Sequence, residues 1–230
     1  MARLHALRAV VWLLVARGGV SLVAPPRRGV VAPRSRAATR VCGVSELWEG
    51  YLSALEATPL PVKCATATVI IGSGDAAAQA IEGLKTKSGG VDLARVGRWA
   101  LFGLVLQAPW NHAFQNALEA LLPSTPEPWT TTTALKVAID QGLQAPVFTA
   151  LIFVFFAVIE GRGVDAGVSQ VKDELAPTLL KNWLIFLPAT VVNLGFVPLE
   201  LRVLFINVVF FFWVIILSLL INETSQKAAS

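Results

Sequence analysis

From residue 62 onward the chain alternates long apolar stretches with short polar connections, and the lengths of those stretches set the reading. Five occur, at about 62–83, 95–121, 134–159, 179–197 and 200–222. Each is close to the ~20 residues a helix needs to cross a hydrocarbon core about 30 Å thick. The connections read GLKTKSGGVD, PSTPEPWTTT and GRGVDAGVSQVKDELAP, with a tight Val197-Pro198 turn before the last segment. Upstream, SELWEGYLSALEATPLP sets Leu47, Trp48, Tyr51, Leu52 and Leu55 at helical spacing as far as Pro59, with Ser45 positioned as a cap. An amphipathic helix over residues 41–60 is therefore expected, lying on the membrane surface with Trp48 and Tyr51 at headgroup depth.

The apolar segments differ in character. VLFINVVFFFWVIILSLL is apolar enough to face lipid on most sides, whereas VKCATATVIIGSGDAAAQAI is rich in small residues that let membrane helices approach closely. The first segment should accordingly lie among its neighbours. Its modest hydrophobicity leaves two counts open, five spans or four plus a partly inserted helix. No alternating strands of about ten residues are present for a barrel. The expected fold class is an all-α integral membrane protein, a bundle of four to five transmembrane helices behind a short N-terminal amphipathic helix.

Polar residues interrupt these segments in a regular way. At about 100° per residue, Gln107, Asn111, Gln115 and His112 fall within an arc of about 140° on one helix face. Lys136, Asp140 and Gln144 stand at i, i+4 and i+8, with Gln141 beside them. Asp75 and Gln79 are four apart, and Asn182 and Asn193 are nearly eclipsed with Thr190 between them. A carboxylate at mid-membrane costs on the order of 3 kcal/mol, so Asp75 and Asp140 must face the bundle interior or water. Such inward stripes suit a narrow hydrated pathway with His112 as its titratable group. They suit equally a set of cross-helix hydrogen bonds, with Asp140 paired to Arg98 or Lys136. Pro109 and Pro146 lie inside segments and should bend them. Arg95, Arg98 and Arg202 are placed to snorkel to the membrane interface.

Composition agrees with a membrane protein: of 230 residues, 55% are hydrophobic and 15% charged, against roughly 25% charged in soluble domains. The charge is unevenly spread. Residues 1–40 hold eight Arg and no acid, while residues 41–230 hold 11 Lys and Arg against 15 Asp and Glu, a net −4. The basic residues form no patch with interleaved aromatics, which excludes nucleic acid as a partner. The Arg-rich, acid-free start has the marks of a removable organelle leader. The chain then divides into a leader over 1–40, the amphipathic helix over 41–60, the bundle over 61–222 and a polar tail over 223–230. The mitochondrial inner membrane is the favoured destination, with a plastid or peroxisomal membrane as the alternative.

Catalytic constellations are lacking in the sequence. One of its two histidines, His5, is in the leader, and there is no HExxH, GxSxG, P-loop or GxGxxG pattern. Cys42 and Cys64 form neither a disulfide framework nor a CxxC pair. No catalytic residue, metal or cofactor is expected.

The order of motifs over residues 46–222 resembles the Mpv-seventeen and twenty-two-kilodalton peroxisomal membrane protein family. L-W-x-x-Y-x-x-x-L-x-x-x-P is matched by Leu47, Trp48, Tyr51, Leu55 and Pro59, and G-D-x-x-x-Q by Gly74, Asp75 and Gln79. D-x-x-R-x-x-R followed by Gly is matched by Asp92, Arg95, Arg98 and Gly103, and the hallmark G-P-x-x-H-x-W-Y-x-x-L by Pro109, His112 and Leu118. K-x-x-x-D-Q falls on Lys136, Asp140 and Gln141; W...N-x-x-x-V-P-x-x-x-R falls on Trp183, Asn193, Val197, Pro198 and Arg202; and Trp213 and Ser218 close the pattern. The chain departs from it at Ala108 for Gly, Phe114 for Trp, Gln115 for Tyr, Phe186 for Trp and Thr190 for Gln, and Pro188 is displaced.

The resemblance implies a multi-pass organelle membrane protein with a channel-like role for small solutes, linked to metabolite flux, reactive-oxygen handling or mitochondrial DNA maintenance. Together with the polar stripes it leads to the expectation of a gated, weakly selective pore lined by Asp75, Gln79, Gln107, Asn111, His112, Gln115, Asp140, Gln141, Gln144 and Asn193. The expected partners are the lipid bilayer and small solutes, with homo-oligomerisation left open. A non-conducting membrane scaffold or assembly factor is the alternative, and a membrane enzyme the third class.

Overall fold

The structure, a computed structural model, describes residues 43–86 and 90–228, with side chains described over 43–84 and 90–215. The leader expected over 1–40 lies outside the described residues. Two units divide the chain, up to Ser53 and from Ala54 onward.

Helix α1, Val44–Ala57, crosses that division. It starts too early for Ser45 to cap it: the Gly43 N–H donates to Glu46 Oε2 at 3.3 Å, so a carboxylate three residues on satisfies the first turn. Trp48 and Tyr51, one turn apart, stack with ring centroids 5.7 Å apart. The Thr58 hydroxyl donates back to Ala54 O, and Pro59 opens α2, Pro59–Thr86, at the one helical position where its missing N–H costs nothing.

Helix α2 is central to its unit, as its small residues foretold. Ala67, Ile71 and Ala78 are wholly buried, and neighbours approach it to backbone distance. A Cβ on Gly103 would stand 2.8 Å from Ala67 O, and one on Gly74 would stand 3.1 Å from the Phe211 ring. Helix α2 packs against α6, Arg202–Ala228, on one side and on the other against α3, which runs over residues 93–121.

Asp92 caps α3, its carboxylate accepting from the Arg95 N–H at 3.0 Å. Thr130 caps α4, Thr131–Ile159, by accepting from the Thr133 N–H at 3.2 Å. The polar stretch expected to connect the third and fourth segments is mostly helix. After a turn with Gly161 at φ 76° and Gly163 at φ 85°, α5 runs as Val164–Phe196. The missed signal is Gly167, where a Cβ would stand 2.7 Å from Val154 Cα. Close packing on α4 makes a helix of residues whose polarity reads as loop. A 3₁₀ turn, Leu199–Leu201, then leads into α6.

An aromatic core joins α3 to α6: Phe102 lies 5.6 to 6.1 Å, ring to ring, from Phe148, Phe155, Phe156 and Phe210. The described chain is all-helical. Among the described residues two helices, α4 and α5, are long and apolar enough to cross a membrane.

Candidate functional site

Two helices depart from α-geometry in the same way. In α3 the α-turns give way to a π-turn at Gly103–Gln107, and in α4 to another at Asp140–Gln144. The cause is proline. Pro109 and Pro146 have no N–H to give, and their rings crowd the carbonyl four residues back. One extra residue per turn relieves the clash, so that Ala108 N–H reaches Gly103 O and Ala145 N–H reaches Asp140 O. The same tetrapeptide, Leu-Gln-Ala-Pro, stands at 106–109 and at 143–146. Single-residue scanning overlooks this repeat, which is the sequence's clearest pointer to the site.

The two distorted turns bound a cavity of about 60 Å³. Gln107, Asn111 and Gln115 enter it from α3, Asp140, Gln141 and Gln144 from α4, Asn182 and Thr190 from α5, and Ile206 and Phe210 from α6. Spacings of four residues keep each set on one helix face. Asp140, 6% exposed, is the ionisable residue of this lining. Gln141 Nε2 donates to Asp140 Oδ1 at 2.7 Å and to Thr190 Oγ1 at 2.9 Å, and the Thr190 hydroxyl donates to Asp140 Oδ1 at 3.3 Å. The π-turn also frees the Gln141 carbonyl, which accepts from the Trp183 indole at 3.3 Å. Neither Arg98 nor Lys136 pairs with Asp140. Gln115 and Thr190, two of the positions that depart from the family pattern, are both in the lining.

Four of the residues expected to line a pathway lie elsewhere. Asp75, wholly buried, is 2.9 Å from Arg95 Nε, and accepts from Gln79 Nε2 at 2.8 Å. Gln79 also takes the Asp92 N–H at 2.6 Å, tying α2 to the cap of α3. Arg95 is held by Asp75 and by Glu82 at 3.0 Å rather than extended to an interface, and Arg98 comes within 4.0 Å of Asp92. His112 turns away from the cavity toward Lys63 and Asn116. The Lys63 ammonium reaches His112 Nδ1 at 3.2 Å, and Asn116 Nδ2 lies 3.2 Å from His112 Nε2. Asn193 is buried outside the lining.

Arg202 is the clearest departure from the sequence reading. It is 2% exposed, not snorkelling, because a carboxylate within the fold outcompetes the membrane surface for it. Arg202 donates to Glu119 Oε2 at 2.8 Å, to Ser124 Oγ at 3.0 Å and to the Val197 carbonyl at 3.2 Å. Lys136, 1% exposed, donates to the same Glu119 oxygen at 2.7 Å and to Ser124 Oγ at 2.8 Å. The cluster locks the end of α3, the loop after it, α4 and α6 together. Sequence reasoning passed over Glu119, which sits at a helix end where an acid is ordinary. It passed over Asn207 too, hidden in the most apolar segment. Asn207 is wholly buried, and its Oδ1 accepts from Gln107 Nε2 at 3.3 Å.

Among the described residues no group of three or more His, Cys, Asp or Glu is arranged to hold a metal.

The chain has relatives among known proteins. The profile of the Mpv17 / PMP22 family matches residues 157–218. The chain is 30% identical to Peroxisomal membrane protein 2 of Bos taurus, over 71% of this chain and 83% of that protein. It is 33% identical to Protein sym-1 of Neurospora crassa, over 71% and 92% respectively. Against Peroxisomal membrane protein PMP22 of Arabidopsis thaliana the identity is 30%, over 74% and 86%. No solved structure matches the chain.

Proposed function

Since this chain belongs to the Mpv17 / PMP22 family, we propose that it is a multi-pass organelle membrane protein whose Asp140 cavity forms part of a gated, narrow pathway for small solutes. The observation that carries the reading is the cavity itself: amides, hydroxyls and one carboxylate set among Phe148, Ile152, Phe186, Ile206 and Phe210, at mid-segment where two helices are widened into π-turns. Distorted backbone at membrane depth is tolerated where it lines water or is covered by protein. The paired π-turns supply a hinge in each of two adjoining helices, and about 60 Å³ admits several waters and nothing larger than a small solute. Conduction then requires a wider state, which the hinges permit.

The Arg-rich leader favours the mitochondrial inner membrane as destination, although two of the relatives above are named as peroxisomal membrane proteins. No reaction is part of the proposal. The test is single-channel conductance of the purified full-length chain in a planar bilayer, beside Asp140→Asn. Discrete openings whose conductance or ion preference changes with the substitution are expected. A silent bilayer containing folded, inserted protein refutes the pathway and leaves a non-conducting scaffold.

A further inference from the structure

We propose that the cavity binds one partly dehydrated monovalent cation between α3, α4 and α5, with the Asp140 carboxylate and neighbouring amide oxygens as its ligands. The inference rests on the reading of this cavity as reachable by solutes, but it does not need the chain to conduct.

Asp140 is enclosed by a lining that contains no cationic side chain. The nearest lysine in sequence, Lys136, has its ammonium committed to Glu119. The two donors on Asp140, from Gln141 and Thr190, are neutral and meet a single oxygen, Oδ1. A carboxylate so placed is costly to bury as an anion and is relieved either by a proton or by an opposite charge that joins it.

The second observation is the kind of polar atom left over. Among the described residues, Gln107 Oε1, Gln115 Oε1 and Gln141 Oε1 are buried without a hydrogen-bond partner, and all three residues line the cavity. They are 1%, 2% and 7% exposed. For Gln141 the choice of oxygen follows from chemistry, because its amide nitrogen must face the Asp140 carboxylate. A carboxylate with three unmatched carbonyl-type oxygens calls for a donor or a cation and repels an anion.

Ligand type narrows the ion. Oxygen donors suit hard cations, and a single carboxylate is too few for the sites that hold calcium tightly. Magnesium gives up its water reluctantly. A singly charged ion fits one carboxylate and neutral oxygens, and about 60 Å³ leaves room for it with a few waters. An alkali-metal ion and the ammonium group of a small solute share this chemistry.

The experiment is thermal unfolding of the full-length protein in detergent, titrated with KCl, NaCl or methylammonium chloride against N-methyl-D-glucamine chloride at constant ionic strength. A ligand that prefers the folded state raises the midpoint with concentration. The wild type is expected to respond to at least one small cation beyond the large one, with potassium, sodium and methylammonium separating the two sources. Asp140→Asn should abolish the response, and Gln115→Leu should move it to at least about fivefold higher concentration. Asp75→Asn, outside the cavity, should leave it in place. A wild type indifferent to cation identity overturns the site, and so does an undiminished response in Asp140→Asn. If that variant does not fold, an unchanged titration in Gln115→Leu overturns it. Parallel bilayer recordings separate the two readings: conductance without cation-linked stabilisation sinks the site alone, and cation-linked stabilisation with a silent bilayer sinks the pathway alone.

Discussion

Glu119→Ala is expected to be among the most damaging substitutions in the chain, although Glu119 is neither the most buried residue nor part of the cavity lining. Its carboxylate accepts from the Ser124 N–H at 2.7 Å, the Ser124 hydroxyl at 2.8 Å, Lys136 at 2.7 Å and Arg202 at 2.8 Å. Truncation leaves two cations, 1% and 2% exposed, facing each other without an anion. Removing one partner from a buried ion pair costs roughly 3–5 kcal/mol. Glu119 itself is 22% exposed, so water entering the gap sets the expected loss near the low end, about 3 kcal/mol. Lys136→Met behaves differently. It keeps the apolar stem and leaves Glu119 paired one-to-one with Arg202, so the lost charged hydrogen bonds, roughly 1.5–3 kcal/mol, are offset by removal of a buried ammonium. The net expectation is about 1 kcal/mol. The assay is unfolding of each variant in mixed micelles by SDS titration, followed by circular dichroism. If Lys136→Met destabilises as much as Glu119→Ala, the charge-balance reasoning is wrong.

Three further outcomes follow from the geometry. Gly103→Val should cost roughly 1–3 kcal/mol by overpacking, because its Cβ would meet the Ala67 carbonyl at 2.8 Å; an unchanged unfolding midpoint would show that α2 and α3 slide apart freely. Asn207→Leu should cost about 1–3 kcal/mol in the same assay, the penalty for leaving buried Gln107 Nε2 without its acceptor, and Gln107→Leu in the same chain should recover part of it; strict additivity would contradict the pairing. Pro146→Ala restores an N–H to α4 and removes the reason for its π-turn, which should rotate Asp140 and Gln141 out of register by about 100°. Loss of conductance with helicity and stability retained is the expected result, and unaltered openings would argue that the π-turn plays no part in the pathway.

How much of this was legible in the sequence differs from element to element. Apolar runs near twenty residues located the long helices, because helix formation in an apolar stretch depends on local pattern. The small residues of α2 announced a crowded helix, since a side chain on its Gly74 would stand 3.1 Å from the Phe211 ring. The four-residue spacing of Gln107, Asn111 and Gln115 announced a shared face, and they do share the cavity. Polarity misled at the start of α5, where close packing at Gly167 outweighs loop-like composition.

Pairing was what the sequence could not decide. Asp75 and Asp140 look alike as intramembrane carboxylates, yet Asp75 meets Arg95 at 2.9 Å and Asp140 meets only neutral donors. Arg202 looks interfacial and Lys136 looks like a partner for Asp140, yet both close on the Glu119 carboxylate. These outcomes turn on which helix faces meet, and contacts between residues such as Glu119 and Arg202, 83 positions apart, leave no periodic trace. The apolar helices and the shared face of Gln107, Asn111 and Gln115 are properties of a short window and were determined by the chain alone. The cavity, its uncompensated carboxylate and the Glu119 lock belong to the tertiary structure, because burial in a shared interior makes each charge's cost depend on partners that only folding brings within reach.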